Sequence, residues 1–231
     1  MKVCSVYDNF FPSFTGNHIK DLQHFMDSPI RKVLKQECID AVSTKKQYEK
    51  AILVDTKKNK VISLSNGTLT DAKVSIPKHI IFDKNYSLIH SHPTLIDKNG
   101  DKYSLPVSFG DFELLVNNKE LKEIVAINAE GEETILQKKD SFEKISKDKM
   151  QDLRMNYFKT LYDNLCNEEE KHQIDILYEY TKTHPNSPAI KQNIINKILD
   201  KQYNSEASNV IKSFFYKIAE RLNLNFIENN K

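Results

Sequence analysis

Tyr86-Ser87-Leu88-Ile89-His90-Ser91-His92-Pro93, followed by Ser108-Phe109-Gly110-Asp111, is the stretch on which the reading of this chain turns. Residues 86–90 are short, apolar and partly β-branched, which predicts a strand. Pro93 has no N–H to give to a ladder and stops it. Side chains on a strand alternate, so His90 and His92 point to the same side and can share one metal ion. Ser108 is a good helix N-cap, and Phe109 to Val116 is apolar enough to be a packed helix. Asp111 then falls in the first helical turn, where the helix dipole favours a carboxylate that can turn toward the histidines. Three protein ligands with a fourth position left for water describe a catalytic zinc site rather than a closed structural one.

Outward from this centre, residues 46–138 alternate strands with one helix. Strands are expected at Ala51–Asp55, Val61–Leu64, Lys73–Ile76, Tyr86–His90, Glu123–Asn128 and Glu133–Gln137, with a helix from Phe109 to Asn118. Lys57-Lys58-Asn59-Lys60 reads as a turn, and Ala129-Glu130-Gly131-Glu132 as a hairpin turn. The class is α+β, a mixed sheet flanked by helices. Residues 1–45 read as an N-terminal helical segment packing on this core after an aromatic start (Tyr7, Phe10, Phe11, Phe14). A short helix is expected over Asn17–Met26. A second starts at Ser28-Pro29, an N-cap with proline at the first helical position, and runs toward Ala41. His18 and His24 lie six apart, do not share a helix face, and read as ordinary surface or half-buried residues. His79, before Ile80-Ile81-Phe82, reads as structural, since a fourth protein ligand would close the metal to water.

His-x-His-Pro followed by Ser-x-x-Asp resembles the MPN/JAMM metalloproteases, most closely their bacterial and phage branch. The resemblance covers about Gln47 to Gln137. It implies a core like that of the cytidine deaminases, Zn2+ as cofactor, His90, His92 and Asp111 as metal ligands, and Ser108 as helper to the water and the oxyanion. It also implies a glutamate base at the start of an early strand. Glu49, which opens the apolar run Ala51-Ile52-Leu53-Val54, stands where that base belongs. Glu37, in a helical stretch, is the fallback. Glu113, two residues from Asp111 on one helix, is expected to face away. One departure from the family is the spacing. Fifteen residues, 93–107, separate His92 from Ser108, where the family usually has seven. The extra residues are polar and turn-forming (Asp97-Lys98-Asn99-Gly100-Asp101) and read either as a lid or substrate-contact loop or as a passive surface insertion.

That resemblance implies a metallopeptidase or isopeptidase acting on a protein or peptide, including ubiquitin-like conjugates. The alternative is a catalytically inactive scaffold or protein-binding module of the same fold. A nucleic-acid protein of the repair branch shares the motif type, but the charge argues against it. The chain has 34 basic and 32 acidic residues, a net charge of +2. The first 140 residues hold 20 basic and 19 acidic, so neither part is a basic domain. Cys4, Cys38 and Cys166 are odd in number and widely spaced, which fits a reducing compartment without a disulfide framework. No apolar run approaches a membrane span, and residues 1–14 lack a signal-peptide core, so a soluble, cytoplasmic protein is expected.

Residues 139–231 read as a helical region. Leu153, Tyr157, Leu161 and Leu165 recur at i+4, and Gln173–Thr181 extends the pattern. Glu168-Glu169-Glu170 reads as a solvated helix face. Ser187 is expected to cap a helix starting at Pro188, with Ile190, Ile194, Ile195 and Ile198 on its apolar side. A last helix, Ser208–Leu222, carries Val210, Phe214, Ile218 and Leu222. Three or four such helices would form a bundle whose stripes pack together or on the sheet, or else bind a partner protein.

Overall fold

A computed structural model describes residues 25, 27–43, 47–68, 85–97, 99–184 and 187–229. The N-terminal aromatics, Cys4, the helix expected over 17–26 apart from Phe25, with His18 and His24, the strand expected at Lys73–Ile76, and His79 lie outside the described residues. The described elements include helix α1 (Pro29–Ser43), strands β1 (Lys50–Asp55), β2 (Lys60–Asn66) and β3 (Tyr86–Ser91), and the short strands β4 (Leu95–Ile96) and β5 (Lys102–Tyr103). Helix α2 (Phe109–Asn117), β6 (Leu121–Ile127) and β7 (Glu133–Lys138) follow. Four helices come next, α3 (Lys147–Leu165), α4 (Glu168–Thr183), α5 (Pro188–Leu199) and α6 (Ala207–Arg221), and then β8 (Leu224–Asn229). The chain divides into two compact units, one of residues 1–94, 106–144 and 219–231, the other of Leu95–Leu105 and Ile145–Ile218.

The first unit holds a six-stranded sheet in the order β2-β1-β3-β6-β7-β8. Only β3 and β6 run parallel; the other neighbours are antiparallel, so the sheet is mixed as the sequence predicts. Register sorts the side chains into two faces. Ile52, Ile89, Val125, Ile135 and Ile227 stand in one row across five strands. This row, with Val54 and Ile127, packs against Phe25 and against Ile30, Leu34 and Cys38 of α1. Those α1 positions recur every four residues, which gives the helix one apolar stripe. Truncating a fully buried member such as Ile89 to alanine costs about 2–5 kcal/mol.

Ser28 caps α1 as predicted, its Oγ accepting from the Arg31 amide at 3.3 Å. Charged and polar groups meet beneath α1, although among the described residues the Arg31 guanidinium nitrogens and Glu123 Oε2 make no hydrogen bond there. Arg31 and Lys35 meet the buried Glu133 carboxylate at 3.3 and 3.2 Å. Ser87 Oγ donates to Glu123 Oε1 at 2.6 Å, and burial pushes the Glu123 carboxyl above the usual carboxylate range. The turn after β1 is the expected one. Asp55 Oδ1 accepts from the Lys57 and Lys58 amides at 3.1 and 3.3 Å, and Asn59 closes the turn at φ 49°.

The second unit is helical. Tyr157 and Leu161 of α3 and Phe214 of α6 are buried, with the Tyr157 and Phe214 rings 5.1 Å apart edge to face. Asn167 caps α4 through a capping box with Glu170. Pro188 starts α5 as predicted, but the Ser187 hydroxyl makes no capping bond. The residues between the histidines and Ser108 are more ordered than a plain loop. Leu95 pairs with Tyr103 and Ile96 with Lys102. The carboxylate of Asp97 accepts from the Asn99 and Asp101 amides at 2.8 and 3.0 Å and from Ser205 Oγ at 2.8 Å.

Residues 139–231 are expected to form a helical region, whereas residues 224–229 form β8 on the edge of β7. Leu224 and Phe226 are buried while Asn225 is partly exposed, a strand alternation too short to stand out after a long helix. No described helix is long and apolar enough to cross a membrane.

Candidate metal centre

The face of the sheet opposite α1 carries the second row. Ala51 pairs with His90, His90 with Ala126, and Ala126 with Thr134. Small alanine side chains flank His90 on both sides, which leaves room above the sheet. His90 is the penultimate residue of β3, His92 follows it by two residues, and the His92 amide donates to the Ile127 carbonyl at 2.8 Å. Both imidazoles are buried.

Helix α2 brings the third group. Phe112 and Leu115 are fully buried and fix the body of the helix. Ser108, extended at φ −90° and ψ 169°, is its N-cap in a reciprocal capping box with Asp111. Ser108 Oγ accepts from the Asp111 amide at 3.1 Å and donates to Asp111 Oδ2 at 2.8 Å. The Ser108 amide donates to the same Oδ2 at 2.7 Å. One carboxylate oxygen is thus held by the cap, and the other, Oδ1, faces His90 Nε2 at 3.5 Å. The Nε2 atoms of His90 and His92 are 2.9 Å apart.

These separations fit a divalent ion. Ligand bonds of 2.0–2.2 Å around a tetrahedral zinc imply roughly 3.3–3.5 Å between neighbouring ligand atoms. The 3.5 Å distance lies on that edge and the 2.9 Å distance is shorter than it, and the ligand atoms of the three residues lie within 4.8 Å of one another. Two imidazoles and one carboxylate are a borderline donor set suited to zinc and its first-row neighbours. Nδ1 of His90 is buried without a hydrogen bond, although the Val125 backbone lies near enough to favour its protonated form.

The ionisable groups of the cluster shift one another. Burial alone would lower the His90 pKa, but the Asp111 carboxylate, Glu49 and the Val125 backbone outweigh it, and the net shift is upward. Burial would raise Asp111, yet His90, His92 and the Ser108 amide hold it well below the usual carboxylate range. Metal binding at such a site would compete with protonation of its ligands.

Glu49 lies on the same side. It precedes Ala51 by two residues, as His92 follows His90 by two, so all four share one face at one end of the β1–β3 pair. Glu49 contributes to raising the His90 pKa, which places its charge near the imidazoles, yet it is not among the three ligating groups. Its amide donates to the Thr68 carbonyl at 2.7 Å, and its own carbonyl accepts from Gly67 at 2.8 Å. Glu37, the fallback, lies on α1 beneath the other face, where Lys50 Nζ meets it at 2.6 Å.

Two contacts around the site went unread in the sequence. Ser91, between the histidines, is fully buried; its Oγ accepts from the Lys50 amide at 2.8 Å and donates to the Tyr48 carbonyl at 3.4 Å, bracketing Glu49. Its place inside the motif is a signal that could have found it. The Val107 amide, just before the N-cap, donates to Thr134 Oγ1 at 2.9 Å. Nothing local marks Thr134, because that contact depends on the β6–β7 register. Comparison with protein-family models, curated proteins and solved structures gave no match.

Proposed function

We propose that this chain is a zinc-dependent hydrolase that cleaves a peptide or isopeptide bond. The observation that carries the proposal is the convergence of His90 Nε2, His92 Nε2 and Asp111 Oδ1 on one point beside Glu49. Three protein ligands leave a position for water and substrate. Zinc bound there supplies a Lewis acid for a carbonyl oxygen and lowers the pKa of water from about 16 to about 7.

The protein's own groups do the rest. The Glu49 carboxylate accepts a proton from the attacking water and returns it to the departing amine nitrogen. The capping box keeps Asp111 Oδ2 occupied and so aims Oδ1. For Ser108 to serve the oxyanion, as the resemblance to MPN/JAMM enzymes implies, its hydroxyl must turn its proton off Asp111 Oδ2, leaving the Ser108 amide as the remaining donor. Cleavage of a lysine isopeptide bond to a ubiquitin-like protein rests on that resemblance.

The test begins with metal content, by mass spectrometry on tag-free protein beside an Asp111→Ala control. About one zinc per chain, lost in the control, supports the site. No bound metal after zinc reconstitution overturns it. Glu49→Gln is then expected to keep its zinc and lose turnover on an isopeptide-linked ubiquitin substrate; full activity of that variant would remove Glu49 as the base.

A further inference from the structure

We infer that Thr134 is a positioning residue for the third metal ligand, an inference that rests on the metal reading of His90, His92 and Asp111. Asp111 reaches the histidines only if the first turn of α2 starts at the right place over the sheet. The buried side chains Phe112 and Leu115 fix the body of the helix. They do not fix where the chain enters it, because fifteen residues, 93–107, lie between His92 and the N-cap. A link that long transmits little register from the histidines to Ser108.

Thr134 supplies a shorter path. It stands in the same row as His90, two strands away across Ala126. Its Oγ1 accepts the amide proton of Val107, which is fully buried and directly precedes the N-cap. A buried amide needs an acceptor, so this bond selects one position for the chain entering α2. From Thr134 the geometry runs through Val107 to Ser108, and through the capping box to Asp111 Oδ2. One row of the sheet thus sets both an imidazole and, through three residues, the carboxylate that faces it.

Thr134→Val keeps the branched shape and removes the acceptor, whereas Thr134→Ser keeps the acceptor. Zinc affinity of each folded protein is measured by competition with a chromogenic chelator, and Co2+ is added separately to read the d–d absorption of the site. Thr134→Val is expected to bind zinc about 10–100-fold more weakly and to change the Co2+ spectrum. Thr134→Ser is expected to restore both. A purely structural threonine would lower the thermal midpoint of the metal-free protein and leave both metal readouts unchanged, and that result overturns the inference. If Thr134→Val does not fold, Thr134→Ala carries the same two readouts with less bulk. Wild-type protein that binds neither ion removes the metal reading and this inference together. Wild-type and Thr134→Val proteins that bind equally well remove this inference alone.

Discussion

Ser108→Ala separates two roles for one hydroxyl. In the structure that hydroxyl accepts from the Asp111 amide and donates to Asp111 Oδ2. Losing the cap costs about 1 kcal/mol of stability. For a chain of this size that lowers the melting midpoint by about 2–4 °C. The effect on metal comes from the second bond. A hydrogen bond to a charged group contributes about 1.5–3 kcal/mol. Asp111 Oδ2 keeps the Ser108 amide at 2.7 Å after substitution, so the lower end applies. About 1.4 kcal/mol corresponds to tenfold weaker zinc binding. The assay is chelator competition on the folded variant, with thermal melts of the metal-free protein in parallel. Zinc affinity within twofold of wild type, combined with turnover reduced by about 10²–10³-fold, would refute the reasoning and assign the hydroxyl to the oxyanion instead.

Glu123 makes stability depend on pH in a defined direction. Burial raises its pKa above the ordinary 4.5, so the folded protein keeps a proton that the unfolded chain gives up. Its contribution to stability therefore falls as pH rises from 4.5 through the folded value. Glu123→Gln should gain on wild type across that window in urea denaturation, and parallel curves at pH 4.5 and 7 would contradict it. The Cys38 thiol is pushed up to about 12 by burial, so it should resist iodoacetamide at about pH 8 until the protein is unfolded. Peptide mapping showing Cys38 labelled under native conditions would show that α1 opens. Zinc at about 100 times its Kd should stabilise the fold by about 2.7 kcal/mol. His92→Ala should lose this thermal shift yet keep a cooperative melt; an unfolded His92→Ala would indicate a structural metal.

How far the residues reveal the architecture depends on the range of the signal. His90, His92, Ser108 and Asp111 announce themselves through period two on a strand and a cap at a helix start, both local rules. Pro29 and Pro188 begin their helices for the same kind of reason. Glu49 needed a resemblance to be chosen over Glu37, because only β1–β3 register distinguishes the two faces of the sheet. Ala51 and Ala126, which make space beside His90, look like any alanines until strand order is known. The parallel pairing of β3 with β6 and the return of β8 to β7 are choices among distant partners, and no window of a dozen residues contains them. The hairpin inside the 93–107 stretch hid for another reason. Its two strands are two residues each, and Asp97 supplies much of the turn's hydrogen bonding through its side chain.

The late arrival of β8 has a consequence during synthesis. Glu133 and Asn229, paired at one end of that ladder, are 96 residues apart. At about 5–20 residues per second, β7 waits about 5–20 s for its outer neighbour to be made. Throughout that interval the outer edge of β7 presents open N–H and C=O groups beside Ile135 and Leu136. A nascent chain stalled between Lys138 and Leu224 is therefore the species most exposed to pairing with another copy of itself. Slow translation over the α3–α6 helices would lengthen that exposure without changing a single residue of the folded protein.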